Sequence, residues 1–161
     1  MIVVADTTPL RYLVAIACEH LLPALYERVL IPPAVADELN QPSTPETVRG
    51  WMAKRPDWLA IQRPIHSLPL EVDLDEGERE AIALAAEVAA DLLLVDDWDA
   101  RQEAERRHLR AVGTLRVLAD GARLGLTNLE ESFARLRRTN FRASSRLLES
   151  LLNEQGQAEG R

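Results

Sequence analysis

The chain has one cysteine, Cys18, one lysine, Lys54, and only 4% aromatic residues. A lone cysteine closes no internal disulfide and lacks partners for a thiolate metal site, so Cys18 reads as a small buried apolar residue in a reducing compartment. With 47% hydrophobic residues and so few rings, the core is expected to be aliphatic, built from Leu, Ala and Val. No apolar run approaches the ~18 residues a membrane span needs. The first residues meet Asp6 without a basic leader, so a soluble, cytoplasmic protein is expected. The scarcity of lysine beside abundant arginine resembles codon usage and carries no chemistry. A net charge of −7 disfavours a simple nucleic-acid binder, whose affinity comes largely from Lys and Arg on phosphates.

What is present is acid at the ends of buried strands. Ile2-Val3-Val4-Ala5 runs into Asp6, and Leu92-Leu93-Leu94-Val95 runs into Asp96-Asp97, with Asp99 beyond. In an open α/β sheet the ligand crevice lies outside the carboxyl ends of the strands, so both groups of acids are aimed at one place.

The rest of the chain alternates strand-like and helix-like segments, the pattern of a parallel sheet covered on both faces. Strands are predicted at 2–5, 29–31, 92–95 and 110–112. Helices are predicted at 10–17, 21–26, from the prolines at 32–33 to Leu39, from Pro45 to Lys54 with Ser43 or Thr44 as cap, 75–90, from near Asp99, and 115–124 ending at Gly125. Residues 128–155 read as two further helices broken near Asn140. At 161 residues this is one domain, 1–155, with a core over 1–126, a C-terminal helical segment over 127–155 and a flexible tail at 156–161.

Helical spacing selects which further acids reach the crevice. After Asp75, the residues Ala81, Ile82, Leu84, Ala85 and Val88 mark the buried face, and Glu78 projects from it, whereas Glu80 falls among solvated acids. In the helix after Pro32-Pro33, Glu38 flanks inward-facing Val35 and Leu39, while Asp37 points the opposite way. The candidate set is Asp6, Glu38, Glu78 and one or more of Asp96, Asp97 and Asp99. Carboxylates without His or Cys companions suit Mg2+ or Mn2+ rather than zinc, and magnesium's usual companions are phosphate oxygens. Two such ions would take −7 to −3 and focus positive charge where a phosphate sits.

The order and spacing of these stretches resemble the PIN-domain proteins, of the compact prokaryotic kind that includes the VapC toxins. The matching runs are 2–10, 29–35 leading to Glu38-Leu39, 75–85, 90–97, and Val112-Gly113-Thr114-Leu115, spanning nearly residues 1–125. The resemblance implies a three-layer α/β/α fold with a central, mostly parallel sheet, to which this chain adds C-terminal helices. It implies a metal-dependent ribonuclease with catalytic Asp6, Glu38, Glu78 and Asp97, metal ligands drawn from Asp6, Glu38, Glu78, Asp96, Asp97 and Asp99, and Thr8 supporting the first acid. An RNA substrate, a small antitoxin partner and a homodimer follow from the same likeness. Two departures stand out: the third acid is Glu rather than the commoner Asp, and the fourth is a cluster.

Rival readings are a PIN-like module of weak catalysis that binds RNA or protein, and another phosphoryl-transfer enzyme. The latter is disfavoured: a haloacid-type phosphatase wants Asp where Thr8 stands, and a receiver domain wants a lysine where none occurs. Asp6 has a bland role available as a helix cap, Glu38 as an arginine's ion-pair partner, Glu78 as a first-turn acid and Asp97 or Asp99 as a cap. His20, His66 and His108 stand alone. Trp51 and Trp58 read as packing residues, and Trp98 has a weak claim to stacking. From Ser132 to Leu148 there is no acid, while Arg135, Arg137, Arg138, Arg142 and Arg146 supply cations, either as a solvated face or for an acidic partner.

Overall fold

The computed structural model describes residues 1–69, 72–143 and 145–159. Short runs of Val, Leu and Ile form the strands β1 (Val3–Ala5), β2 (Val29–Ile31), β3 (Leu59–Ile61), β4 (Leu92–Leu94) and β5 (Ala111–Val112). They lie in the order β3-β2-β1-β4-β5, and every pairing is parallel. The helices are α1 (Thr7–Ala15), α2 (Leu21–Tyr26), α3 (Pro33–Leu39), α4 (Glu46–Ala53), α5 (Glu76–Glu87), α6 (Trp98–Arg106), α7 (Thr114–Arg123), α8 (Leu129–Arg137) and α9 (Ser145–Glu159).

Side chains alternate across the strands and divide the interior in two. Val3, Ala5, Leu92 and Leu94 enter the larger core with residues of α1, α2, α3, α4, α7, α8 and α9, while Val4, Leu93 and Val95 meet α5 and α6 on the other face. This is the three-layer α/β/α arrangement expected of continuous apolar strands buried on both faces. Each fully buried Leu or Ile contributes roughly 1.5–3 kcal/mol, so this aliphatic core needs no disulfide.

Local features differ from the expectations above for physical reasons. Strand β3, flanked by Pro56 and Pro64, is absent from it; an edge strand has one unpaired side, so bounding prolines cost it little. Helix α4 is preceded by Pro45 and takes no side-chain cap; Thr44 Oγ1 instead donates to the Glu38 carbonyl at 2.6 Å, tying off the end of α3. The tail expected to fray from Gly156 continues as helix through Glu159, because Leu148 and Leu151 are buried and Gln155 Nε2 donates to the Ala122 carbonyl at 3.2 Å. Residues 160 and 161 lie outside the described residues.

Helix α5 is fastened to α3 by an acid read as solvated. Pro32 cannot cap α3 with a side chain, and Glu80 Oε2 accepts from the Ala34 N–H at 2.7 Å in its place. The two helices pack along each other, which sets Glu38 against the start of α5.

Candidate active site

The chain leaves β1 toward one edge of the sheet, returns, and enters β4 on the other side of β1, so the topological switch lies between β1 and β4. Asp6 follows β1 and Asp96-Asp97 closely follow β4, with Ala5 and Leu94 in register. The Asp6 N–H donates to the Leu94 carbonyl at 2.8 Å, extending the ladder to the first acid.

Asp6 is only 4% exposed, yet its carboxylate does not cap α1, and no cation lies within ion-pair distance among the described residues. Burial holds it well above the ordinary carboxylate range; the Thr7 backbone N–H offsets part of this, and Glu78, Asp75 and Glu38 add repulsion. Glu38 is half-buried, as spacing predicted, and Asp37 is exposed. The meeting point is Gly77: a methyl group there would stand 3.1 Å from Glu38 Oε1 and 3.4 Å from Asp6 Oδ1. Two carboxylates from different elements therefore rest against one Cα. Gly77→Ala should displace Glu38 by a few tenths of an ångström while gaining up to ~1 kcal/mol of helix propensity. The expected result is a roughly tenfold weaker Mn2+ affinity by calorimetric titration, of the size seen for ligand-supporting changes, with undiminished thermal stability.

Glu78 makes a capping box with Asp75: its N–H donates to Asp75 Oδ1 at 2.8 Å, and Oε2 accepts from the Asp75 N–H at 3.2 Å. It also belongs to the acid group. Burial, then Asp75, Asp97 and Glu38, push it up to about 7. Asp75 is the acid the sequence reading took only for a helix start, although the Asp75-x-x-Glu78 spacing was a signal that the two share one turn.

The aspartates after β4 separate by role. Both oxygens of Asp96 are taken by Thr114, from its N–H at 2.7 Å and its Oγ1 at 2.6 Å, so Asp96 ties β4 to the start of α7. Gly113 permits this approach, since a methyl group there would stand 2.5 Å from Asp96 Oδ1. Burial raises Asp96, and the Thr114 bonds and the charge of Arg101 oppose that. Asp97 caps α6, its Oδ2 accepting from the Ala100 N–H at 3.0 Å, and it faces the crevice beside Glu78. Asp99 is exposed and does not line the crevice. Thr8 is half-buried and lines the crevice, but it makes no hydrogen bond to Asp6 among the described residues.

The crevice is a cleft of about 580 Å³. Glu78, Asp96 and Asp97 occupy its acid side, with Arg101, Arg116 and Arg142 among its other walls. Among the described residues no three His, Cys, Asp or Glu side chains close into a finished cage. A looser bowl of carboxylates still fits magnesium, which keeps several waters and takes one or two carboxylates directly. The buried, unpaired charge of Asp6 is the observation that asks for a cation.

A parallel sheet with acids from β1, α3, α5 and the end of β4 gathered at its switch point defines an α/β protein with an anionic crevice there. The chain belongs to the PIN-domain family: the family described as DUF3368, PIN domain, matches residues 2–157. PIN domains are generally nucleases and typically use divalent metals. Among solved structures, the chain is similar to a PilT N-terminus domain protein from the hyperthermophilic archaeon Sulfolobus solfataricus P2. The TM-score is 0.55 at 18% identity, over 74% of this chain and 92% of that one. That likeness concerns the fold. No curated protein matches the chain. No helix among the described residues is long and apolar enough to cross a membrane.

Proposed function

We propose that the protein is a Mg2+- or Mn2+-dependent endoribonuclease that hydrolyses RNA phosphodiester bonds, acting as the toxin of a toxin-antitoxin pair. The observation that carries this reading is the convergence of Asp6 and Glu38 on Gly77, beside Glu78, without a cationic partner. Asp6, Glu38, Glu78 and Asp97 would hold the metal. When bound, the metal supplies an activated water and neutralises charge building on the phosphate.

The chain's own residues do the positioning. Asp6 is fixed by the ladder bond to Leu94, and Glu38 by the α3–α5 contact and the Thr44 bond at the end of α3. Glu78, raised to about 7 while no cation is bound, would release its proton as the metal binds and so serve as a ligand near neutrality. Asp96 organises the site by tying the end of β4 to the start of α7 through both of its oxygens. A small antitoxin as inhibitor, and a homodimer as the working form, belong to the same proposal.

Purified chain, freed of any partner, is expected to cleave single-stranded RNA internally with Mg2+ or Mn2+ and to lose all cleavage in EDTA. Gel analysis of end-labelled RNA checks this. Intact RNA under both metals, with Mn2+ binding absent by titration, would favour a PIN module that only binds.

A further inference from the structure

The acids account for one side of the cleft; the arginines on its other walls have no assigned part. Most of the chain's half-buried arginines are spoken for. Arg107 clasps Glu103 at 2.9 Å, Arg49 donates to the Thr44 carbonyl at 2.9 Å, and Arg79 donates to the carbonyls of Val72 and Leu68, at 2.6 and 2.8 Å. Arg101 is different. Its Nε is sealed from solvent without a hydrogen-bond partner, and no carboxylate lies within ion-pair distance among the described residues. The acid that feels its charge, Asp96, has both oxygens engaged by Thr114.

We propose that Arg101 is a substrate-binding residue that, with Arg142, grips the RNA phosphate next to the one cleaved. Arg101 lies one helical turn beyond Asp97, its N–H bonded to the Asp97 carbonyl at 3.0 Å, so α6 presents an acid and a cation to the same cleft. With Nε sealed, it is the terminal pair of guanidinium nitrogens, on a side chain that lines the cleft and has no carboxylate at ion-pair distance among the described residues, that a phosphate would take bidentately. Arg142 reaches the cleft from the segment between α8 and α9, the arginine-rich stretch of the sequence. That segment is pinned: Tyr12 Oη donates to Asn140 Oδ1 at 2.6 Å, and the Tyr12 and Phe141 rings meet edge to face at 4.9 Å. The C-terminal segment is thereby part of the substrate seat.

This inference rests on the nuclease reading for its substrate, and one set of measurements separates the two. The probe is a fluorescein-labelled oligouridylate, bound in Ca2+ and followed by anisotropy across a salt series, with Mn2+ titration and thermal melting of the same proteins. Arg101→Gln should weaken RNA binding about tenfold and flatten the slope of log affinity against log salt by ~0.7, the value of one single-strand phosphate contact. Its Mn2+ affinity and melting temperature should hold. Arg101→Lys should recover part of the affinity. Arg142→Gln, at an exposed position, should flatten the slope without touching the fold, and it serves if Arg101→Gln fails to fold. Unchanged affinity and slope in the variants overturn the inference even where the wild type cleaves RNA. So does a binding loss in Arg101→Gln accompanied by lost Mn2+ affinity and lower stability, the mark of a residue that only balances Asp96. Conversely, an Arg101-dependent slope in a wild type that cleaves no RNA keeps Arg101 as an RNA-phosphate contact and removes the nuclease reading together with the placement beside a cleaved phosphate.

Discussion

Asp6→Asn is expected to abolish RNA cleavage while making the metal-free protein more stable. The amide keeps the shape of the side chain but removes a charge that is buried without a cation and repelled by Glu78, Asp75 and Glu38. Loss of one directly acting charge costs about 3–4 kcal/mol of transition-state stabilisation, or ~10²–10³ in rate, in comparable sites. Relief of the desolvation penalty acts in the opposite direction on folding, so the metal-free variant should melt above the wild type at pH 7.5. Mn2+ should raise its melting temperature far less than that of the wild type. The opposite signs matter, because a merely damaged protein would lose both activity and stability. Wild-type cleavage rates in the variant would remove Asp6 from the site.

Metal and protons should compete for the same acids, with a pH dependence whose sign follows from Glu78. Its folded pKa, about 7, lies above its ordinary 4.5, so between these values the folded protein binds more protons than the unfolded chain. The stability tied to Glu78 is full below about 4.5 and is lost as pH rises through 7. Asp6 is raised as well and acts with the same sign. In EDTA, the contribution of these acids should make the protein melt lower at pH 8 than near pH 5. Saturating Mn2+ should reverse the order, since each proton displaced makes apparent affinity climb by about tenfold per pH unit below 7. At ~2–4 °C per kcal/mol for a chain of this size, the crossing is readable in thermal melts. A metal-free melting curve indifferent to pH would show that neither burial nor mutual repulsion raises these acids.

Much of the fold was written in short local patterns. Strands β1, β2 and β4 are continuous apolar runs, and Glu38 was separable from Asp37 by helical spacing because burial follows the 3.6-residue repeat. Glu80 escaped that logic. On its own helix it looks solvated, and only the docking of α5 beside the uncapped start of α3 gives it a partner. The roles of Asp96, Asp97 and Asp99 were equally closed to the sequence, since three neighbouring aspartates carry one chemistry and differ only in what the turn aims them at. Thr114, eighteen residues after Asp96, claims one; the Ala100 N–H claims one oxygen of another; solvent keeps the third. Arg101 was hidden for the converse reason: that it lacks a partner among the described residues is visible only once the side chains around it have been placed.

The ladder bond from Asp6 to Leu94 divides the acids into one fixed post and several movable arms. Asp6 departs from the sheet itself, on a short side chain, so its reach is set by the spacing of β1 and β4. Glu38 and Glu78 stand on helices and have an extra methylene each. In the proposed metal site, adjustment between a smaller and a larger ion would fall to the glutamates, and to Glu38 above all, since Glu78 Oε2 is held by the Asp75 N–H.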